Sequence, residues 1–312
     1  MTDLIVTGIT GFLGRHIVDE ALARGMYNHI YGISRRWVDQ ERLSRKWGDR
    51  VTMINGDIQD RSALQRLFVM PKFKPDVIHA AAYKHISMAV RNPEECKSVN
   101  IDGTEKLIGQ CRQSIRNLVF ISTDKASSPV SVYGQSKAIA EQMVLNAGGT
   151  VLRFGNVWGS TGSLVEKWHR EMRKENPVLE ITEPTMTRYF YPIADAVDYV
   201  LMATDYSECK IVPNLKSTDI LLLAEAYKIA YNKSAEIKII GIRPGEKMHE
   251  QMTCSEELSM SFTDVIQDKY LRLRPGTFGE IPTGFEGLIG SDKAEQFSVD
   301  ELVNMINLTK GL

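Results

Sequence analysis

Long apolar runs, a basic leader, clustered cysteines and an excess of charge are all missing from this 312-residue sequence, and each absence removes a class of function. No apolar stretch approaches the roughly 18 to 20 residues that cross a bilayer, so no membrane partner is expected. Met1-Thr2-Asp3 runs into Leu4-Ile5-Val6 with no basic n-region, apolar h-region or small-residue cleavage site. The expectation is a cytoplasmic chain that starts inside its fold. Cys96, Cys111, Cys209 and Cys254 are too scattered for a disulfide framework or a zinc site, so packed thiols and no metal are expected. Lys and Arg number 38 against 39 Asp and Glu, a formal charge of -1, so no global field draws nucleic acid. Internal repeats and low-complexity tracts are absent too.

What is present is an ordinary globular composition, 43% hydrophobic and 25% charged, with a regular alternation of strand and helix patterns. Leu4-Ile5-Val6 reads as a buried strand, Gly8 to Gly14 as a turn, and Arg15 to Arg24 as a helix with Ile17, Val18, Ala21 and Leu22 on one face. Further strands are predicted at 29–33, 51–54, 76–79, 117–122 and 150–154, separated by helix-length segments. Parallel strands need crossover helices, so this order predicts an α/β fold with a doubly wound parallel sheet. After Asn156 the pattern changes: Gly155, Gly159 and Gly162 punctuate a loop, a helix follows near 164–174, and Pro177 and Pro184 break the next stretch. A smaller second lobe begins there. Ser298-Val299-Asp300-Glu301 is a capping-box sequence opening a C-terminal helix.

Gly8, Gly11 and Gly14 stand between a strand and a helix, the setting of a dinucleotide-binding turn, where free N–H groups and the dipole end of the helix meet pyrophosphate. Their three-and-three spacing differs from the usual Rossmann fingerprint and resembles that of short-chain dehydrogenases. Where an acidic residue would take a ribose 2′-hydroxyl, the second strand ends in Ser34-Arg35-Arg36. A hydroxyl and guanidinium groups suit a 2′-phosphate, so the cofactor is read as NADP, against the alternative of solvated loop charges. Gly56-Asp57-Ile58 resembles the short acidic motif that meets adenine in this class, with Asp57 as a plain turn residue the competing reading.

Tyr133 and Lys137, four residues apart, share one face of a helix, and a nearby ammonium lowers a phenol's pKa and so favours its service as a base. Upstream, Ser122-Thr123-Asp124-Lys125-Ala126 follows the fifth strand at the carboxyl edge of the sheet, where α/β folds bind ligands. A hydroxyl, a carboxyl and an amine stand together there, a composition suited to acid and base work.

Several stretches carry a family likeness: the glycine turn with its Thr7 and Thr10, Ala82-Tyr83-Lys84-His85, Asn92-Pro93, Asn100-Ile101-Asp102-Gly103-Thr104, the Ser122–Ala126 stretch with Tyr133 and Lys137, Arg153-Phe154-Gly155-Asn156-Val157, Met186-Thr187-Arg188-Tyr189, and Arg243-Pro244-Gly245-Glu246-Lys247. Over nearly its whole length the chain resembles the inverting UDP-N-acetylglucosamine 4,6-dehydratases, extended short-chain dehydrogenase/reductases of polysaccharide and flagellin-glycan biosynthesis. The resemblance implies a Rossmann-like NADP domain at 1–156 and about 188–214, and a smaller α/β lobe at about 157–187 and 215–312 for a UDP-sugar. It implies cofactor contacts from Gly8, Thr10, Gly11, Phe12, Leu13, Gly14, Ser34, Arg35, Arg36, Asp57, Ile58, Ala80, Ala81, Lys84, Tyr133 and Lys137. Substrate contacts would come from Lys84, Asn156, Thr187, Arg188, Arg243 and Glu246. Tyr133 and Lys137 would support oxidation at C4 with Thr123 on the 4-hydroxyl, Asp124 would be the acid at the 6-hydroxyl and Lys125 the base at C5. The product would be a 4-keto-6-deoxy sugar inverted at C5, made by a homo-oligomer.

Phe12-Leu13 is a wording closer to sugar epimerases and reductases of the same class. A UDP-sugar 4-epimerase or a bifunctional dehydratase/epimerase therefore stands as the alternative, using the same Tyr133 and Lys137. A non-catalytic NADP-sensing module is the reading from a different class; such proteins lose the tyrosine or lysine that this chain keeps.

Overall fold

A computed structural model describes residues 2–111, 115–277 and 279–311. The first half alternates as expected: β1 (Asp3–Thr7), α1 (Phe12–Ala23), β2 (Ile30–Ser34), α2 (Trp37–Trp47), β3 (Val51–Asn55), α3 (Arg61–Phe68), β4 (Pro75–His79), α4 (Ile86–Arg91), α5 (Pro93–Lys97), α6 (Gly103–Cys111), β5 (Asn117–Ile121), α7 (Val132–Asn146) and β6 (Thr150–Leu152). The second half adds β7 (Asn156–Val157), α8 (Leu164–Met172), β8 (Val178–Ile181), β9 (Thr187–Tyr191), α9 (Ile193–Ala203), β10 (Cys209–Pro213), β11 (Ser217–Asp219) and α10 (Ile220–Tyr231). It closes with β12 (Glu236–Ile239), α11 (Ser255–Ser259), β13 (Ser261–Ile266), β14 (Tyr270–Pro275) and α12 (Val299–Thr309).

A nine-stranded sheet in the order β13-β14-β10-β6-β5-β4-β1-β2-β3 organises the molecule. From β10 to β3 every pairing is parallel, and the direction of winding reverses between β1 and β4. β1, β2 and β4 are buried along their whole length, as strands covered on both faces must be. One face packs Ile17, Val18 and Ala21 of α1 and Val197 and Val200 of α9. The other packs Leu64 and Leu67 of α3, Leu107 and Ile108 of α6 and Ala140 and Val144 of α7. A separate cluster of Trp158, Trp168, Leu179, Phe190, Tyr227 and Leu302 fills the second lobe, between α8, α10, α12 and the small sheets. Among the described residues no helix is long and apolar enough to cross a membrane.

Three features differ from the sequence expectation. Helix α1 starts at Phe12 rather than Arg15, because the turn feeds straight into it and the Arg15 N–H already donates to the Gly11 carbonyl at 3.0 Å. The sixth strand ends at Leu152. Residues 261–275, placed on sequence in the substrate lobe with the rest of 215–312, instead form the antiparallel β13–β14 edge of the large sheet, β14 pairing with β10. The C-terminal capping box is present, Ser298 Oγ accepting from the Glu301 N–H and Glu301 Oε2 from the Ser298 N–H.

Two buried histidines make stability pH-dependent. His79 bridges Thr7 Oγ1 (2.7 Å) and Thr104 Oγ1 (3.0 Å), and His169 bridges the Tyr231 hydroxyl (2.8 Å) and Thr309 Oγ1 (3.0 Å). Burial holds both neutral, His79 down to about 3 and His169 to about 4 from an ordinary 6.5. Both states are neutral above 6.5, and below it only the unfolded chain takes up protons, so stability falls as pH drops towards the folded values. The expected loss is about 2 kcal/mol per histidine between pH 7 and 5. Urea midpoints at those pH values should show it, with a shallower slope in His169→Gln.

Candidate active site

The carboxyl ends of the parallel strands open onto a cleft of about 1120 Å³ at the point where the winding reverses. Gly8, at the end of β1, has φ +69°, and a Cβ there would sit 3.0 Å from Ala81 Cα and N, so only glycine lets the turn pass that close to the segment after β4. Gly11 caps α1 without a side-chain acceptor, and the first turn carries no acidic residue. The helix's free N–H groups thus meet a cleft lined by Gly8, Thr10, Gly11, Phe12, Leu13 and Gly14. A cradle of this kind fits a pyrophosphate, so the residues present suit a dinucleotide.

Beyond the turn, Thr10 Oγ1 and Ser34 Oγ are 2.8 Å apart, and the Arg36 N–H donates to Ser34 Oγ. Arg35 Nη1 lies 3.5 Å from Asp57 Oδ2 and Arg36 Nε 2.8 Å from Asp39 Oδ2, with both guanidinium groups largely exposed. Asp57 also accepts from the Gln59 N–H, so it is a turn residue and an ion-pair partner at once. Ile58, Ala80, Ala81 and Lys84 line the same cleft. Lys84 Nζ reaches across to the Thr161 carbonyl at 2.6 Å, and burial lowers its pKa.

The reaction centre is assembled by the turn after β5 and the first turn of α7. Thr123 Oγ1 donates to Asp124 Oδ1 at 2.8 Å, and Lys125 Nζ approaches the same oxygen at 3.0 Å. A Cβ on Gly134 would lie 2.3 Å from the Lys125 carbonyl oxygen, so this glycine lets α7 dock directly on the turn and sets Tyr133 beside it. Burial drives the Tyr133 phenol up to about 12, opposed by the Lys125 charge and a hydrogen bond with Thr123. Burial would lower Lys125, but Asp124 and Glu250 together hold it above the ordinary lysine value. Lys137, expected as the cation that activates Tyr133, instead donates to the Ile121 carbonyl at 2.6 Å with Nζ 3.8 Å from the Phe120 ring centre. Its burial lowers it to about 7.

From the second lobe Asn156, Arg188, Arg243 and Glu246 line the cleft. Arg188 is held by the Thr187 and Met248 carbonyls. Arg243 is half exposed, its N–H donating to Glu246 Oε2. Thr187 is different: it is absent from the cleft lining, and its buried hydroxyl pairs with His249 Nδ1 (2.8 Å) and Ser291 Oγ (2.6 Å). Its place in the fold is to brace β9, not to face a ligand. Among the described residues no group of three or more His, Cys, Asp or Glu could hold a metal ion.

The profile of the polysaccharide biosynthesis protein family matches residues 4–270. The chain belongs to that family. Its relatives include an inverting UDP-N-acetylglucosamine 4,6-dehydratase of Campylobacter jejuni, 31% identical over 99% of this chain and 98% of the relative. A UDP-glucose 4-epimerase of Rickettsia rickettsii is 31% identical over 86% of this chain and 81% of its own. Among solved structures, the UDP-glucose 4-epimerase of Bifidobacterium longum in complex with NAD+ and UDP superposes with a TM-score of 0.73 at 18% identity, covering 99% of this chain and 98% of that one. That last likeness establishes the Rossmann fold.

One charged residue beside the site escaped sequence reading, and another was noted only as part of the family likeness. Glu250 lies 3.3 Å from Lys125 Nζ, and Lys247 donates to the Ser127 carbonyl at 2.7 Å. Both follow the Arg243–Glu246 stretch in a segment without helix or strand periodicity. Only its nearness to that stretch could have drawn attention to Glu250.

Proposed function

We propose that the protein is an NADP-dependent 4,6-dehydratase acting on a UDP-hexose, best on UDP-N-acetylglucosamine, with inversion at C5, for surface-glycan biosynthesis. The observation that carries this reading is the Asp124–Lys125 pair, its carboxylate buried, beside Tyr133: an acid–base pair next to an oxidising tyrosine is what loss of water after C4 oxidation requires. NADP when bound supplies the acceptor for the C4 hydride and its return to C6. Support for the 2′-phosphate comes from exposed Arg35 and Arg36 with Ser34 at the end of β2, where no carboxylate replaces them.

Tyr133, with Thr123 at its hydroxyl, takes the 4-hydroxyl proton. The resulting 4-ketone acidifies the C5 proton, and the Asp124–Lys125 pair then removes that proton and donates one to the departing 6-hydroxyl, so that water leaves. The roles require the pair to hold one proton between them across their 3.0 Å contact, Lys125 serving as the amine when Asp124 serves as the acid. Return of a proton to C5 from the other face gives the inverted 4-keto-6-deoxy sugar. Arg243 and Arg188 hold the diphosphate end, with Asn156 and Glu246 beside them. In this reading 1–156 and about 188–214 bind NADP with the β13–β14 edge completing their sheet, the remaining residues hold the sugar nucleotide, and the enzyme works as a cytoplasmic homo-oligomer.

Proton NMR of the purified protein with UDP-N-acetylglucosamine in deuterated water tests the reading. The expected result is a 6-deoxy-4-keto product with deuterium at an inverted C5, with NADP recovered from the denatured protein. UDP-N-acetylgalactosamine with its C6 hydroxyl intact would overturn it in favour of a 4-epimerase, the second reading, to which the Rickettsia relative's identity lends weight.

A further inference from the structure

Lys125 is gripped from two sides. Asp124 comes from its own turn, and Glu250 arrives from the segment after Lys247, its Oε1 3.3 Å from Lys125 Nζ with a side chain only 2% exposed. Glu250 does not line the cleft, so it stands behind the ammonium. Its backbone is fixed in both directions by Ser291: the Glu250 N–H donates to Ser291 Oγ at 2.9 Å, and the Ser291 N–H donates to the Glu250 carbonyl at 2.8 Å. Ser291 Oγ in turn meets Thr187 Oγ1, so β9, the Ser291 turn and Glu250 form one braced unit. Asp124 Oδ2 and Glu250 Oε2 are both buried without a hydrogen-bond partner. A buried carboxylate left half-satisfied is costly; Glu250 Oε1 stands 3.3 Å from the Lys125 ammonium and 3.9 Å from Arg188 Nε, so Lys125 is its nearer counter-ion.

We infer that Glu250 is a positioning residue for the reaction, anchoring the Lys125 ammonium from behind so that Lys125 enters each turnover charged and Asp124 keeps Oδ2 free for the substrate. The inference rests on Asp124 and Lys125 being the proton-transfer pair. The charged and titratable groups facing Lys125 are Asp124 on its own turn, Tyr133 on α7, Arg188 on β9, and Lys247 and Glu250 on the second-lobe segment. Arg188 and Lys247 oppose the ammonium and the carboxylates support it, so removing one carboxylate tips the balance towards the amine.

Glu250→Gln keeps shape and both Ser291 contacts, which use only backbone atoms of Glu250. It should lower kcat 10- to 100-fold with KM within about twofold, and shift the basic limb of the pH–kcat profile to lower pH, since the charged form of Lys125 is now lost sooner. Glu250→Asp should restore the wild-type limb. Wild-type activity or an unmoved limb in Glu250→Gln would overturn the inference, as would equal loss in Gln and Asp variants. An epimerase outcome would sink the dehydratase reading. The anchor is then decided, as it is when the wild type turns over no UDP-hexose, by a double-mutant cycle of Lys125→Met and Glu250→Gln on the urea midpoint: non-additive shifts support it, additive ones refute it.

Discussion

Lys125→Met is expected to slow water loss by about 10²- to 10⁴-fold while leaving C4 oxidation measurable, and Tyr133→Phe to suppress both. The contrast follows from the geometry. Tyr133 stands on the first turn of α7 beside Thr123, so it belongs to the oxidation; Lys125 touches Asp124 and Glu250, so it belongs to the proton movements that follow. Methionine matches the lysine stem but removes the ammonium that Asp124 and Glu250 share, leaving Glu250 with Arg188 at 3.9 Å, so some stability is lost as well. Lys125→Arg keeps the charge and separates the two effects: it should hold the fold yet remain impaired, because a guanidinium cannot serve as a base. The reading is tested by near-ultraviolet absorbance of the reduced nicotinamide during a single turnover, alongside product NMR. Loss of the absorbance change in Lys125→Met as well as in Tyr133→Phe would place Lys125 in the oxidation step and reverse the assignment.

The parallel half of the sheet could be read from the chain because its signals are local: a buried strand, a glycine turn, an apolar helix face, repeated. Val6, Gly8 and Ile17 each state their environment within a few residues of themselves. β13 and β14 could not be read in the same way. Their burial alternates unevenly, Tyr270 and Leu271 inside and Arg274 outside, and β10, the partner through which β14 joins the large sheet, lies more than 45 residues upstream, so only long-range pairing assigns them there. The same distinction divides the site. Asp124, Lys125 and Tyr133 sit within ten positions of one another, so spacing exposed them, whereas Glu250 reaches Lys125 from 125 residues away. Thr187 shows the opposite failure: its neighbour Arg188 lines the cleft, and strand alternation turns the threonine to the other face, onto His249 and Ser291. Lys137 was placed on the right helix, but spacing says nothing about which acceptor its amine chooses, and here that is the Ile121 carbonyl.

Beneath the reaction centre lies the set of charges whose disruption should cost the most stability. Arg153 is 1% exposed; it donates through Nε and Nη2 to both oxygens of Glu141, at 2.9 and 2.7 Å, and through Nη1 and Nη2 to Glu257, each at 2.6 Å. Lys210 adds a second cation 3.0 Å from Glu141, and Ser122 Oγ donates to Glu141 at 2.6 Å. Burial would raise the Glu141 carboxyl, but Arg153 and Lys210 hold it at about 2, so at neutral pH two anions face two cations. Arg153→Met removes one cation and leaves Glu141 and Glu257 competing for Lys210, with an expected cost of about 3 to 5 kcal/mol and a Tm lower by roughly 10 °C. Glu141 is one helical turn beyond Lys137 on α7, and Ser122 immediately precedes Thr123, so the same network clamps the two segments that form the reaction centre. Activity should therefore fall in Arg153→Met even at temperatures where the variant stays folded, through kcat more than KM. The double variant Arg153→Met/Glu141→Leu removes a charge of each sign and should regain part of the stability, because a buried ion pair is replaced more cheaply than it is broken. Recovery of stability without recovery of kcat would show that the network orients α7 as well as holding the core. Recovery of both would mean that its charges matter only to folding, and that Ser122 and α7 find their places without them.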